Sequence, residues 1–216
     1  MPEARAPMEG CDVLPEAPLA GQEPFTRAFR ELGAATFREA CRIAHGLPYG
    51  HPSAPEEPLA LFRERRGTCT TKHDAIAALA RELDLPVRKR LGVYAMTESL
   101  VTGMSAVLER HGMPYLPMLH CFLTAGEHRV DLTAGNRNGK NGTIVEFLVT
   151  TEVPPHLGER EEYRWYRTTL QEVVLRRPEW QGIGIGQALR ARAEGIALLR
   201  ARAGEARSGP LASAQG

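Results

Sequence analysis

Cysteine is scarce in this chain, and none of it is paired by spacing. The four cysteines, Cys11, Cys41, Cys69 and Cys121, are scattered without a C-x-x-C pair. That argues against a disulfide framework and against a thiolate zinc site. None of the histidines stands in an H-E-x-x-H or another close ligand spacing, so neither a metal nor an organic cofactor is expected. No apolar run approaches the roughly 20 residues of a membrane span. With 27 basic and 26 acidic side chains, the net charge is +1. No field of one sign draws in nucleic acid or an acidic membrane surface. The opening MPEARAPMEGCDVLPEAP puts acidic residues where a signal peptide needs a basic start and an apolar stretch. A cytoplasmic protein with reduced thiols, and no nucleic-acid or membrane partner, is the expectation.

What the chain does have is the composition of an ordinary globular domain, 43% hydrophobic and 25% charged, at a length that buries one good core. Residues 1–24 are rich in Pro, Ala and Glu without periodicity and read as a disordered tail. Residues 204–216 read as a second tail, leaving a single domain over 25–203. From Phe25 the apolar residues recur at helical steps, with a break near Gly33 and an end in GLPYGHPSAP. A second helix opens after Gly67, with Ile76, Leu79, Ala80 and Leu83 as its apolar stripe and Pro86 as its stop. Strand is expected at 87–96, helix at 98–111, short strands at 119–124 and 128–133, another strand at 144–153, and helices at 160–176 and 187–202. Helices first and strands later point to an α+β fold.

Chemistry concentrates at three residues. Cys69 stands where the bend at Gly67 enters a strongly patterned helix. A helix N-terminus stabilises a thiolate, and the backbone N–H of Cys69 is itself placed to serve an oxyanion hole. A cysteine nucleophile also needs a base held by a third group. His120 and Asp131 lie on adjacent predicted strands. A loop with an even number of residues, such as Ala125-Gly126, sets them on one face, whereas an odd loop separates them.

The segment GTCTTKHDAIAALARELDLPVRKRLGVYAM resembles the nucleophile helix and following strand of transglutaminase-like proteins, which share the papain-like fold. Leu85-Pro86-Val87-Arg88 and then Gly92 stand where that superfamily has its strand entry. The segments around His120 and Asp131 match its His and Asp strands in order. The resemblance covers about residues 65–133. It implies a nucleophile helix packed on an antiparallel sheet, with extra helices at both ends. It also implies Cys69 as nucleophile, His120 as general base and acid, and Asp131 as its orienter. The implied partner is a peptide, protein or small amide-bearing substrate.

The other candidates weigh less. His73, one turn beyond Cys69, is read as packing or hydrogen-bonding locally, and Lys72 as a solvated surface residue. Cys121 alternates away from His120 into the core, Cys41 joins an apolar stripe, and Cys11 lies in the tail. Arg63, Arg65 and Arg66 read as wet surface, and Tyr94 and Tyr115 as lining of the cleft. Two other functions compete with the acyl-transfer reading. One is a catalytically silent module of the same fold that binds a partner. The other is an acetyl-CoA-dependent N-acetyltransferase, because Gln181, Gly184 and Gly186 fill a short Gly-rich pattern before a helix.

Overall fold

The computed structural model describes residues 11–208. Helices α1 (Pro24–Glu31) and α2 (Phe37–Gly46) are separate, divided around Gly33 where the sequence predicts a break. A short helix not expected from the sequence, α3 (Ala60–Glu64), precedes α4 (Cys69–Glu82). Strand β1 (Val87–Met96) follows, then α5 (Met104–His111), β2 (Leu116–Ala125), β3 (His128–Val130) and β4 (Val149–Val153). The chain ends in α6 (Glu159–Thr169), a single π-turn, and α7 (Ile185–Ser208). Seven helices and one four-stranded antiparallel sheet, in the order β3-β2-β1-β4, make this an α+β fold among the described residues.

Helix α4 is the centre of the molecule. It touches β1 and β2 on one side and α1 and α2 on the other. Residues Thr71 through Ala80 are therefore buried without interruption. Its C-terminus closes in a Schellman turn: Asp84 takes the left-handed conformation at φ 51°, and the Leu85 N–H bonds the Ala80 carbonyl at 2.8 Å. Glu82 in the last turn accepts from the Phe25 and Thr26 N–H groups at 3.0 and 2.7 Å, fastening the start of α1 to the end of α4. One apolar cluster joins α1, α2 and α4 to Val87, Leu123 and Val130. A second fills the other side, where α5, α6 and α7 meet Tyr94, Met96 and Leu116.

Several boundaries differ from the sequence expectation, each for a local reason. Residues 11–23 are not a tail: Leu14 and Leu19 are buried in the first cluster, and the Phe37 N–H bonds the Ala17 carbonyl at 2.8 Å. The expected tail over 1–10, and 209–216 of the C-terminal one, lie outside the described residues, while α7 carries on through Gly204 to Ser208. The helix expected over 98–111 begins at Met104, because the Glu98 carboxylate turns back to accept from the Gly103 and Ser105 N–H groups. Strand β2 runs through Pro117, which lies where β3 does not reach and no ladder partner is lost on that side. No helix among the described residues is long and apolar enough to cross a membrane.

Candidate active site

Thr68 caps α4 and makes Cys69 its first residue. The Thr71 N–H donates to the Thr68 hydroxyl, and the Thr68 N–H donates to the Thr71 hydroxyl at 2.9 Å, a reciprocal capping box. Cys69 is thereby fixed at the positive end of the helix, partly exposed on the floor of a cleft of about 860 Å³.

The hairpin between β2 and β3 turns on Gly126 and Glu127, since Ala125 pairs with His128 and Leu123 with Val130. The turn has two residues, as an even loop requires, but sits one position later than Ala125-Gly126. Asp131 leaves the sheet directly after β3, and its Oδ2 lies 2.7 Å from His120 Nε2. The Thr133 N–H and hydroxyl both donate to Asp131 Oδ1 at 2.8 Å, which leaves Oδ2 aimed at the imidazole. With Nε2 facing Asp131, the other ring nitrogen of His120 is the one available to the thiol.

The electrostatics divide these groups. The Cys69 thiol is held well below its ordinary value, first by a hydrogen bond from the Cys121 thiol, then by the charge of His120, its hydrogen bond and Lys140, with burial acting against them. Cys121 is pushed well up by the same hydrogen bond and by burial, so it keeps its proton. Of the two sulfurs, Cys69 is the thiolate, because it has the helix end and the imidazole. Burial opposes a charge on His120, but Asp131 and Cys69 override it and raise the imidazole to about 9. Burial likewise opposes Asp131, and the His120 charge holds its carboxyl well below the usual range. Both directions favour a thiolate at Cys69 and an imidazolium at His120.

His73 stays outside that exchange. The Leu132 N–H donates to its Nε2 at 2.8 Å, so the proton is on Nδ1, which donates to the Cys69 carbonyl at 2.6 Å. Burial lowers it to about 4, and it is neutral near pH 7. It ties the first turn of α4 to the segment that carries Asp131. Lys72 is the clear correction to the sequence expectation: it is fully buried, and its ammonium donates to the His45 and Leu47 carbonyls. Cys121 is buried as expected, yet it also touches the site, within 3.8 Å of the Thr70 hydroxyl.

Two cleft residues carried no signal in the sequence. Tyr49 is aligned beside Gly67 by a parallel bridge, with Gly67 N–H to Pro48 O at 3.1 Å and Gly50 N–H to Gly67 O at 3.2 Å. Burial and the charge of Cys69 push its phenol well up, against a hydrogen bond from the Cys69 backbone, and it lines the cleft together with Cys69. Lys140 lines the cleft together with Cys69 and His120. Tyr94 lines it as well. Tyr115 does not: it lies against Trp180 and bonds Glu179. Arg63 and Arg66 are paired with Glu57 and Glu64. No His, Cys, Asp and Glu side chains among the described residues form a group that could hold a metal ion.

Gly92, paired across the sheet with His120, makes room for the ring that covers it. A Cβ there would lie 2.3 and 2.7 Å from Phe147 ring carbons. Phe147 lies nearly parallel to the imidazole, with centroids 6.5 Å apart. Gly92→Ala is expected to destabilise the fold by about 1–3 kcal/mol through overpacking, and Gly92→Ala/Phe147→Ala to recover part of that loss. Urea unfolding of the two variants checks it, and an unchanged midpoint in the single variant rules the contact out.

No family model matches the chain, and no match is found among curated proteins or solved structures.

The Gly-rich segment is built differently from a pyrophosphate cradle. It follows a π-turn and a 3-10 turn at Pro178–Trp180 rather than leading directly out of a strand, and no strand follows α7 among the described residues.

Proposed function

We propose that this chain is a transglutaminase-like, papain-like cysteine enzyme that forms an acyl intermediate on Cys69 and releases it to water or an amine. The observation that carries this reading is the 2.7 Å bond between His120 Nε2 and Asp131, formed beside a cysteine at the first position of a buried helix. The antiparallel sheet packed on that helix supports the fold assignment. The substrate class is a peptide, protein or small molecule with an amide or ester carbonyl.

In this reading the Cys69 thiolate attacks the carbonyl carbon, and the carbonyl oxygen takes up the negative charge. The Cys69 N–H and the Tyr49 hydroxyl hold that oxygen. The imidazolium of His120 gives its proton to the leaving amine or alcohol as the tetrahedral adduct collapses to a thioester. Water or an amine then enters, His120 takes its proton, and the thiolate departs. Asp131 keeps the ring oriented throughout.

The test is a burst experiment with p-nitrophenyl acetate. One equivalent of nitrophenol released fast, and an acetyl group found by mass spectrometry on Cys69, is the expected result. Acetylation of no cysteine, or of Cys121 or Cys41 instead, removes the reading. Turnover is expected to rise with pH as Cys69 ionises, well below an ordinary thiol, and to fall as His120 loses its proton near 9. Both limbs belong to the coupled pair rather than to one residue.

A further inference from the structure

One cation of the cleft, Lys140, has a charge that favours the thiolate but no contact with the substrate in the cycle above. Lys140 comes from the loop 134–142 that follows Asp131, and this loop is firmly held. The buried Asn138 donates to the Thr133 carbonyl at 2.6 Å and accepts from the Lys140 N–H at 3.0 Å. Gly139, at φ 88°, lies so close to α7 that a Cβ would be 2.7 Å from the Leu199 carbonyl oxygen. The Asn141 N–H bonds the Leu100 carbonyl at 2.8 Å, so the backbone of Lys140 is fixed on both sides. Its ammonium makes no hydrogen bond or ion pair with any described side chain. It nevertheless opens into the same cleft as Cys69 and His120. Burial works against its charge, and only Cys69 and Asp131 support it from a distance.

None of the acidic groups that line the cleft, Glu56, Asp74, Glu159 and Glu162, forms an ion pair or hydrogen bond with Lys140. Asp74 is committed to Lys89, with His156 at 3.6 Å. Burial raises Glu162 to about 7, so it is half neutral near pH 7. The exposed Arg200 of α7 also lines the cleft and adds positive charge without a carboxylate partner among the described residues. A partly buried ammonium with no partner beside a reacting carbonyl is a site for an anion. A phosphate brings nearly two charges and three acceptor oxygens, which call for more donors than this one. A carboxylate matches a single ammonium.

Building on the acyl-enzyme reading, we propose that Lys140 binds a carboxylate of the acyl donor, so that the preferred substrate carries an anionic group a few atoms from the carbonyl that Cys69 attacks. Iodoacetate and iodoacetamide test this, because they differ only in carboxylate against carboxamide. With each, the Cys69 sulfur forms a bond to the methylene carbon and iodide leaves. The readout is the ratio of the two alkylation rates at Cys69, followed by mass spectrometry and compared with the same ratio for N-acetylcysteine. In the wild type the ratio is expected to exceed that of the free thiol by about tenfold. Lys140→Met is expected to bring it down to the free-thiol value, and Lys140→Arg to retain most of it.

A ratio unchanged in Lys140→Met, with Cys69 still reacting selectively, overturns the carboxylate site and leaves the cysteine reading intact. Equal slowing of both reagents also overturns it, because Lys140 would then act only by holding the thiolate. If wild-type Cys69 fails to react selectively with iodoacetamide, the cysteine reading falls and the carboxylate site with it. Circular dichroism of both variants establishes that each rate refers to folded protein.

Discussion

In the His120→Ala protein, alkylation of Cys69 by iodoacetamide at pH 6 is expected to slow by about a hundredfold. The thiolate is the reacting species. In the wild type it is favoured by hydrogen bonding from Cys121, by the imidazolium and by Lys140. Burial pushes the other way, so once His120 is gone the desolvation cost is opposed only by the Cys121 bond, Lys140 and the helix end. Losing the imidazolium therefore moves the thiol upward, and at a pH below both values fewer thiolates are present. The decisive measurement is the full pH profile mapped to each cysteine. The wild-type Cys69 limb should lie well below the ordinary thiol value of about 8.5 and move up in the variant, while Cys41, raised by full burial, stays slow in both. Asp131→Asn is expected to give the intermediate case, since it leaves the ring in place but removes the charge that holds its proton. A Cys69 profile that is ordinary in the wild type, or identical in His120→Ala, would show that the pair is not coupled. The protein would then be better described as a silent binding module.

How much of this was legible in the sequence depends on the range of the interaction. Cys69 at a helix start could be read from Gly67 and the apolar residues that follow, and β1 was placed at 87–96 because its pattern is local. The hairpin offered only a parity argument. An even turn does occur, but it is displaced by one residue and Asp131 has already left the sheet, held by Thr133 rather than by the ladder. The larger difference between sequence and structure lies at α4. A single apolar stripe implied a helix with one wet face, which assigned Lys72 to solvent. The helix is enclosed instead between the sheet and the α1–α2 layer, and its polar residues are buried because each has a tertiary partner: Lys72 has backbone carbonyls, His73 has Cys69 and Leu132, and Asp74 has Lys89. Apart from the Cys69 carbonyl, four residues away on the same helix, those partners come from other elements, so no short window of sequence shows them. Tyr49 and Lys140 were missed for the same reason. Each stands in a polar, turn-rich loop without periodicity, and each enters the cleft through contacts made elsewhere.

Lys89→Met is expected to lower the unfolding free energy by about 3–5 kcal/mol, the largest effect on stability outside the apolar core. Lys89 is 2% exposed on β1, and Asp74 is 8% exposed on α4. Their ion pair joins the central helix to the sheet just behind the cleft. The ammonium also donates to the Pro155 carbonyl at 3.3 Å, fixing the turn before α6. Methionine fills much the same volume, so the loss comes from the carboxylate left behind. Asp74 would remain largely buried with only a partly exposed His156 at 3.6 Å. An uncompensated buried charge costs more than the pair itself contributes. The double variant Asp74→Asn/Lys89→Met is therefore expected to regain more than half of the loss, although both charges are then gone. A urea double-mutant cycle reads this coupling directly. A loss under about 1 kcal/mol in the single variant would mean that the pair is solvated, and the close packing of α4 on β1 described here would be wrong. A double variant no better than the single would place the cost in the Pro155 contact instead of the stranded carboxylate.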